Sequence, residues 1–207
     1  MLKTKTATEV HLKHTARIAL LFSLVCAALA LPNFAQAQKI DVAFGISTTT
    51  APAANSNGPS LTGGTYTGFS GDVLPWHDFG IGGEIYWRAS QAVYNSPLFG
   101  PIPYRPLFLD VNGIYAPKLA SHTYLELSAG IGAMDTRQYC NGCGNGYNTN
   151  YSSDKHFMGD FGAGLKLYPT RNFFIRPEAK IYLVTNNQLF SSSYATRYGL
   201  SIGYTFH

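Results

Sequence analysis

The feature that most constrains this chain is an alternation of period two. In residues 39–48, Ile40, Val42, Phe44 and Ile46 are apolar, while Lys39, Asp41, Ala43, Gly45 and Ser47 between them are polar or small. Successive side chains of a strand point to opposite faces, so this spacing predicts a strand with one apolar side. The same pattern recurs near residues 65–74, 79–91, 104–116, 122–134, 156–168, 173–185 and 193–206, giving eight expected strands. No heptad and no 3.6-residue apolar stripe competes with it after residue 38.

Where the charges fall within these strands decides the solvent. Asp41, Asp72, Glu84, Arg88, Asp110, Glu126, Asp160, Lys166, Arg176, Glu178, Lys180 and Arg197 all lie on the face opposite the apolar one. A soluble sandwich turns its apolar side chains inward and scatters charge outside. Here an uncharged face, such as Phe79, Ile81, Gly83, Ile85 and Trp87, would form the outer surface around a charged interior. Lipid outside and a polar interior account for this arrangement. Charged residues are 13% of the chain, well below the roughly 25% of soluble domains. The expected connections also alternate: three tight turns near residues 75–78, 117–121 and 169–172, against four loops near 49–64, 92–103, 135–155 and 186–192. A sheet in lipid cannot leave backbone edges unpaired, so closure follows. The expected fold is all-β: an eight-stranded antiparallel up-and-down transmembrane β-barrel.

The first 37 residues read as a cleaved secretory signal peptide, with residues 38–207 as the barrel domain. Lys3, Lys5, Lys13 and Arg17 precede an apolar run at residues 18–31, and Ala35-Gln36-Ala37 supplies the small-x-small cleavage pattern. That run is too short to span a membrane as a helix, and Ser23 before Cys26 does not suit a lipoprotein signal. Of 15 basic and 11 acidic residues, four basic and one acidic belong to this leader. The remainder is nearly neutral and has no Lys/Arg cluster, so nucleic acid is excluded as a partner.

With the strands and leader in place, the chain resembles the small bacterial outer-membrane β-barrel families of the OmpA transmembrane domain and OmpX. The resemblance rests most heavily on the last strand, where Tyr194, Thr196, Tyr198, Leu200, Ile202, Tyr204 and Phe206 alternate with smaller or polar residues. Arg197, Gly199, Ile202, Tyr204 and Phe206 resemble the assembly signal that such proteins present to the barrel-assembly machinery. His207 departs from the usual final Phe, and Pro177 implies a bulge or a locally irregular pair in the seventh strand. The resemblance implies bacterial outer-membrane residence, termini in the periplasm, long loops outside and outer-membrane lipid as the surrounding partner. Full-length OmpA-like proteins carry a peptidoglycan-binding domain after the barrel; none follows His207, so cell-wall tethering is not expected.

Three groups of residues carry candidate chemistry. Asp72, Glu84, Arg88, Asp110, Glu126, Asp160, Lys166, Arg176, Glu178, Lys180 and Arg197 constitute an expected interior charge network. Eight strands leave a bore that side chains fill, so paired charges make a plug rather than a conducting path. Cys140 and Cys143 sit in a Gly/Asn-rich loop, without a second Cys pair for zinc or a helix start to activate a thiol. A short loop disulfide is the expected state in an oxidising compartment. For acyl hydrolysis, His156 near Asp154 and Asp160 is the remaining base candidate, and no His is followed at two residues by Ser. No catalytic residue, cofactor or metal ligand is assigned. Trp76, Phe79, Tyr115, Tyr168, Phe173, Tyr204 and Phe206 on the turn side, and Tyr66, Tyr104 and Tyr194 on the loop side, are expected to form two interfacial belts. Tyr94, Tyr139, Tyr147 and Tyr151 are the loop aromatics that a carbohydrate would meet.

The expected function is a monomeric, non-enzymatic structural or surface-interaction protein acting through extracellular loops. A narrow channel for ions or small solutes is the alternative, and an enzyme acting on envelope lipid the third reading.

Overall fold

The computed structural model describes residues 39–51, 58–140, 150–185 and 193–207. The signal-peptide segment, residues 1–37, lies outside the described residues. Among the described residues, alternation becomes ten strands: β1 (Lys39–Thr50), β2 (Tyr66–Trp76), β3 (Phe79–Arg88), β4 (Ala92–Ser96), β5 (Gly100–Tyr115), β6 (Lys118–Ala120), β7 (Thr123–Tyr139), β8 (Tyr151–Leu167), β9 (Phe173–Val184) and β10 (Tyr194–Phe206). Eight of them are long and form the wall. β4 and β6 are short and extend it at opposite ends.

Neighbours pair antiparallel throughout, and β1 meets β10 over an unbroken register from Ile40↔Phe206 to Thr50↔Thr196. A β5–β7 pairing from Tyr104↔Gln138 to Tyr115↔Leu127 joins the two ends of the sheet. The ring is therefore closed, and the ladder that lipid could not hydrogen-bond is satisfied within the wall.

Exposure follows the alternation. In β5, Leu109 and Val111 are 51% and 59% exposed, while Asp110 between them is 2%. Phe44, Ile131, Phe161, Ile181 and Ile202 continue this outward apolar surface around the ring.

Two prolines behave differently. Pro75 sits in a register shift between Val73 and Trp76, where β2 bulges before the tight turn at His77 (φ 46°). Pro177 makes no bulge: its β10 partner is Leu200 in continuous register. On the β8 side, pairing lapses between Gly164↔Glu178 and Leu167↔Ile175 and resumes in the same register. A missing N–H donor removes ladder bonds without inserting a residue.

Loop-side residues 92–103, 135–139 and 151–155 are more ordered than the sequence implies. β4 pairs with the start of β5 from Ala92↔Tyr104 to Ser96↔Gly100. β7 and β8 pair as far as Tyr139↔Tyr151. The barrel wall thus rises on one side as a β4–β5–β7–β8 extension.

Candidate functional site: the barrel interior

Every wall strand sends at least one charged side chain into the bore. Asp41 comes from β1, Asp72 from β2, Glu84 from β3, Asp110 from β5 and Glu126 from β7. Asp160 and Lys166 come from β8, Arg176, Glu178 and Lys180 from β9, and Arg197 from β10. Period two places the three β9 residues on one face at successive steps along the axis.

These groups form one connected chain of ion pairs. Lys166 Nζ lies 2.6 Å from Asp41 Oδ2 and 3.2 Å from Asp72 Oδ2, and also pairs with Glu126. Glu126 passes the contact on to Arg176, whose Nη1 is 2.6 Å from Glu126 Oε1. Arg176 Nε is 2.8 Å from Glu178 Oε2, and Glu178 Oε1 is 3.0 Å from Arg197 Nη2. Glu84 then bridges Arg197 at 2.9 Å and Lys180 at 2.8 Å. Lys180 ends the chain on Asp110 and Asp160, at 3.3 and 3.0 Å. Four cations thus hold seven carboxylates. A buried charge without a partner costs several kcal/mol, and here each cation contacts at least two carboxylates.

Neutral side chains supply further bonds. Ser70 Oγ and Ser201 Oγ accept from the Arg176 guanidinium, Asn112 donates to Asp110, and Tyr86 and Tyr182 donate to Glu178 and Glu84 at 3.2 and 3.1 Å. The Arg197 guanidinium lies on the Tyr86 ring, 3.6 Å from its centroid. Within this layer the free space is a cavity of about 30 Å³ bordered by Glu84, Glu126, Arg176 and Lys180. Space of that size holds a water or two.

An apolar layer closes the loop side of the charges. Tyr66, Tyr86, Phe108, Met134, Met158 and Tyr182 are fully buried, with Phe108 and Tyr182 stacked at 4.6 Å. Leu61 is folded down onto them from the connection after β1. Tyr66 Oη donates to Leu61 O at 3.1 Å, and Tyr104 Oη donates to Ser60 O at 2.6 Å. Gly63 and Gly64 have φ of 77° and 78°, the left-handed conformation that lets the chain turn over the mouth.

Several sequence expectations change. Arg88 does not join the network: it sits at the loop-side mouth, partly buried beside Gly64, and its Nε has no hydrogen-bond partner among the described residues. Asp41 takes part in the ion-pair chain although the expected network omitted it. Tyr66 and Tyr104 are interior rather than interfacial, since their even positions share the inward face with Asp72 and Asp110. Tyr168 also turns to the bore, bonding Thr205 Oγ1 at 3.0 Å and meeting the Phe174 ring. Trp76, Phe79, Tyr115, Phe173 and Phe206 are exposed as a belt requires.

Cys140 is disulfide-bonded, and its backbone N–H donates to Asn150 O at 3.2 Å. Cys143 lies outside the described residues. His156 Nε2 is 3.3 Å from Asp154 Oδ2, and no hydroxyl or thiol hydrogen-bonds that histidine among the described residues. Along β10, Arg197 points inward and Ile202 and Phe206 outward, while Tyr204 meets Phe206 edge to face at 4.8 Å.

No known family model matches the chain, and no curated protein matches it. Solved structures do. A major outer membrane protein from Thermus thermophilus has a TM-score of 0.60 at 10% identity, covering 83% of this chain and 100% of that one. Neisserial surface protein A has a TM-score of 0.55 at 9% identity, with 82% and 97% covered. The N-terminal β-barrel domain of Pseudomonas aeruginosa OprF has a TM-score of 0.50 at 16% identity, with 81% and 97% covered. The fold is that of the small bacterial outer-membrane β-barrels. An apolar outer wall around a charged interior suits that fold in a bilayer, so the chain has the fold and the inverted polarity of an outer-membrane β-barrel.

Proposed function

We propose that the chain is a monomeric, non-conducting and non-catalytic barrel whose outer-membrane wall holds an extracellular β-sheet extension in place as an interaction surface. The observation that carries this is the continuous ion-pair chain from Asp41 to Asp160 across the bore. On the turn side, a vestibule of about 300 Å³ lies at Lys39, His122 and Tyr168, and the cavity at Asp41 and Lys166 is only about 20 Å³. On the loop side, the aromatic layer and Leu61 cover the network. Ions entering such a bore would have to displace paired charges rather than water.

A filled bore leaves the exterior and the extension to supply function. The closed ladder supports a single-chain barrel, because no wall edge needs a second copy. The alternation of β10 supports recognition of Arg197, Gly199, Ile202, Tyr204 and Phe206 by the barrel-assembly machinery during insertion. For catalysis, His156 has an orienting carboxylate and no nucleophile within hydrogen-bond reach among the described residues. The test is conductance of the purified protein in a planar bilayer. The expected result is no resolved single-channel steps; a steady current from the unmutated barrel would overturn the plug and favour the channel.

A further inference from the structure

The outward face of the wall carries charge in one sector. In register, three rows of side chains cross β5, β7 and β8 towards the loop side: Leu109, Ala133 and Phe157; then Leu107, Asp135 and Lys155; then Arg105, Arg137 and Ser153. The first row is apolar. The next two bring Arg105, Arg137 and Lys155 together with a single carboxylate, Asp135. Asp154 belongs to the inner face, where it meets His156. At the same end of the other strands, outward positions hold Thr48, Thr67, Trp87, Leu183 and Tyr194.

Depth follows from strand geometry. Tyr115, in the turn-side aromatic belt, and Arg105 are ten residues apart on β5. At about 3.3 Å per residue and a tilt near 40°, this corresponds to about 25 Å along the membrane normal, the height of the apolar band of such barrels. Arg105 and Arg137 therefore stand where acyl chains give way to the headgroups of the outer leaflet.

The cations are not balanced internally. Arg105 and Arg137 are direct cross-strand partners, and like charges in that position repel. Asp135 is already occupied by Arg137 Nε at 3.2 Å and Ser153 Oγ at 2.5 Å. Arg105 Nε is buried without a hydrogen-bond partner among the described residues, and its Nη2 reaches Ala89 O at 3.4 Å. Lys155 is exposed and makes no ion pair among the described residues. Arg137 also lies over the Tyr151 ring at 5.2 Å, so an aromatic face borders the cluster. Two guanidiniums side by side present the fork that an anionic oxygen group bridges.

We infer that Arg105, Arg137 and Lys155 form a binding site for the phosphate of an outer-leaflet glycolipid headgroup. The phosphate bridges the two arginines, Lys155 contacts it from β8, and Tyr151 borders the sugar. The inference rests on the outer-membrane reading, because only a bilayer puts a headgroup at this height.

The test uses the whole barrel folded into phosphatidylcholine vesicles with a small fraction of fluorescent lipid A. Three arms are compared: lipid A with its phosphates, the same lipid stripped of them, and free inorganic phosphate as competitor. Phosphorylated lipid A should bind in preference to the stripped lipid, and free phosphate should compete weakly. Each cation near a membrane surface contributes about fivefold in affinity, so Arg105→Gln with Arg137→Gln should weaken binding about 25-fold. Arg171→Gln, on the turn side, should leave it unchanged. Equal binding of stripped lipid, or unchanged affinity in the double variant, would overturn the site. Competition by free phosphate at comparable affinity would overturn the lipid as its source. Failure of the unmutated chain to insert in vesicles, seen as loss of heat-modifiable gel mobility, would instead overturn the membrane reading beneath the inference.

Discussion

The two faces of the same wall solve opposite problems. Outside, Leu109, Val111 and Ile131 meet an apolar solvent, so their contribution depends on being uncharged more than on any particular shape. Inside, Asp110, one residue away, depends on a particular partner, Lys180 from β9. The exterior is tolerant and the interior specific. This is the reverse of a soluble barrel, where an apolar core demands packing and a wet surface accepts almost anything.

The largest expected difference between the faces comes from removing a shared cation. Arg176→Ala leaves Glu126 and Glu178 without their common partner. The barrel should lose about 3 to 5 kcal/mol in equilibrium unfolding from lipid vesicles. An effect below about 1 kcal/mol would mean that the interior tolerates change as the exterior does.

Adding a charge outside should come next. Leu109→Lys or Ile131→Lys, at mid-depth on the outward face, should cost about 2 to 4 kcal/mol in the same assay. Placing Lys at the inward Ser128, which borders the interior cavity, should cost less where the surplus carboxylates accept it. Equal losses at Leu109 and Ser128 would break the assigned parity. An apolar exchange outside, Leu109→Ile, should fall below about 1.5 kcal/mol.

The smallest effect is expected far from both faces. Reducing the Cys140 disulfide, or changing Cys140 and Cys143 to Ser, should leave unfolding and heat-modifiable mobility nearly unchanged, since the crosslink to Cys143 that the sequence predicts would enclose two intervening residues and remove little chain entropy. Loss of the barrel on reduction would show that the loop holds the wall together.

Most of the wall is legible in the sequence because period two and charge parity are properties of single strands. What crosses between strands is not. The interior aromatic layer is hidden because Tyr66, Tyr86, Phe108 and Tyr182 share the face of the charges, and alternation does not tell how that face divides along the axis. The β4–β5 hairpin is masked by Pro101 and Pro103, which read as loop residues yet pair with Asn95 and Val93 at the edge of the sheet. Arg105, Arg137 and Lys155 are obscured for a related reason: two of them fall in a segment that reads as loop, where no face can be assigned. Their common face emerges only from the β5–β7–β8 register. Pairing among the interior charges likewise depends on which strands oppose each other across the bore.

The most direct measurement of the inverted wall is a set of nuclear Overhauser contacts between lipid acyl chains and side-chain methyl groups, recorded on the unmutated barrel. Leu109, Val111, Ile131, Ile181 and Ile202 should show strong contacts with acyl methylenes, while Ile114, Met134, Met158 and Val184 should show none. Acyl contacts at the second group, or their absence from the first, would contradict a barrel with lipid outside and a filled, charged interior.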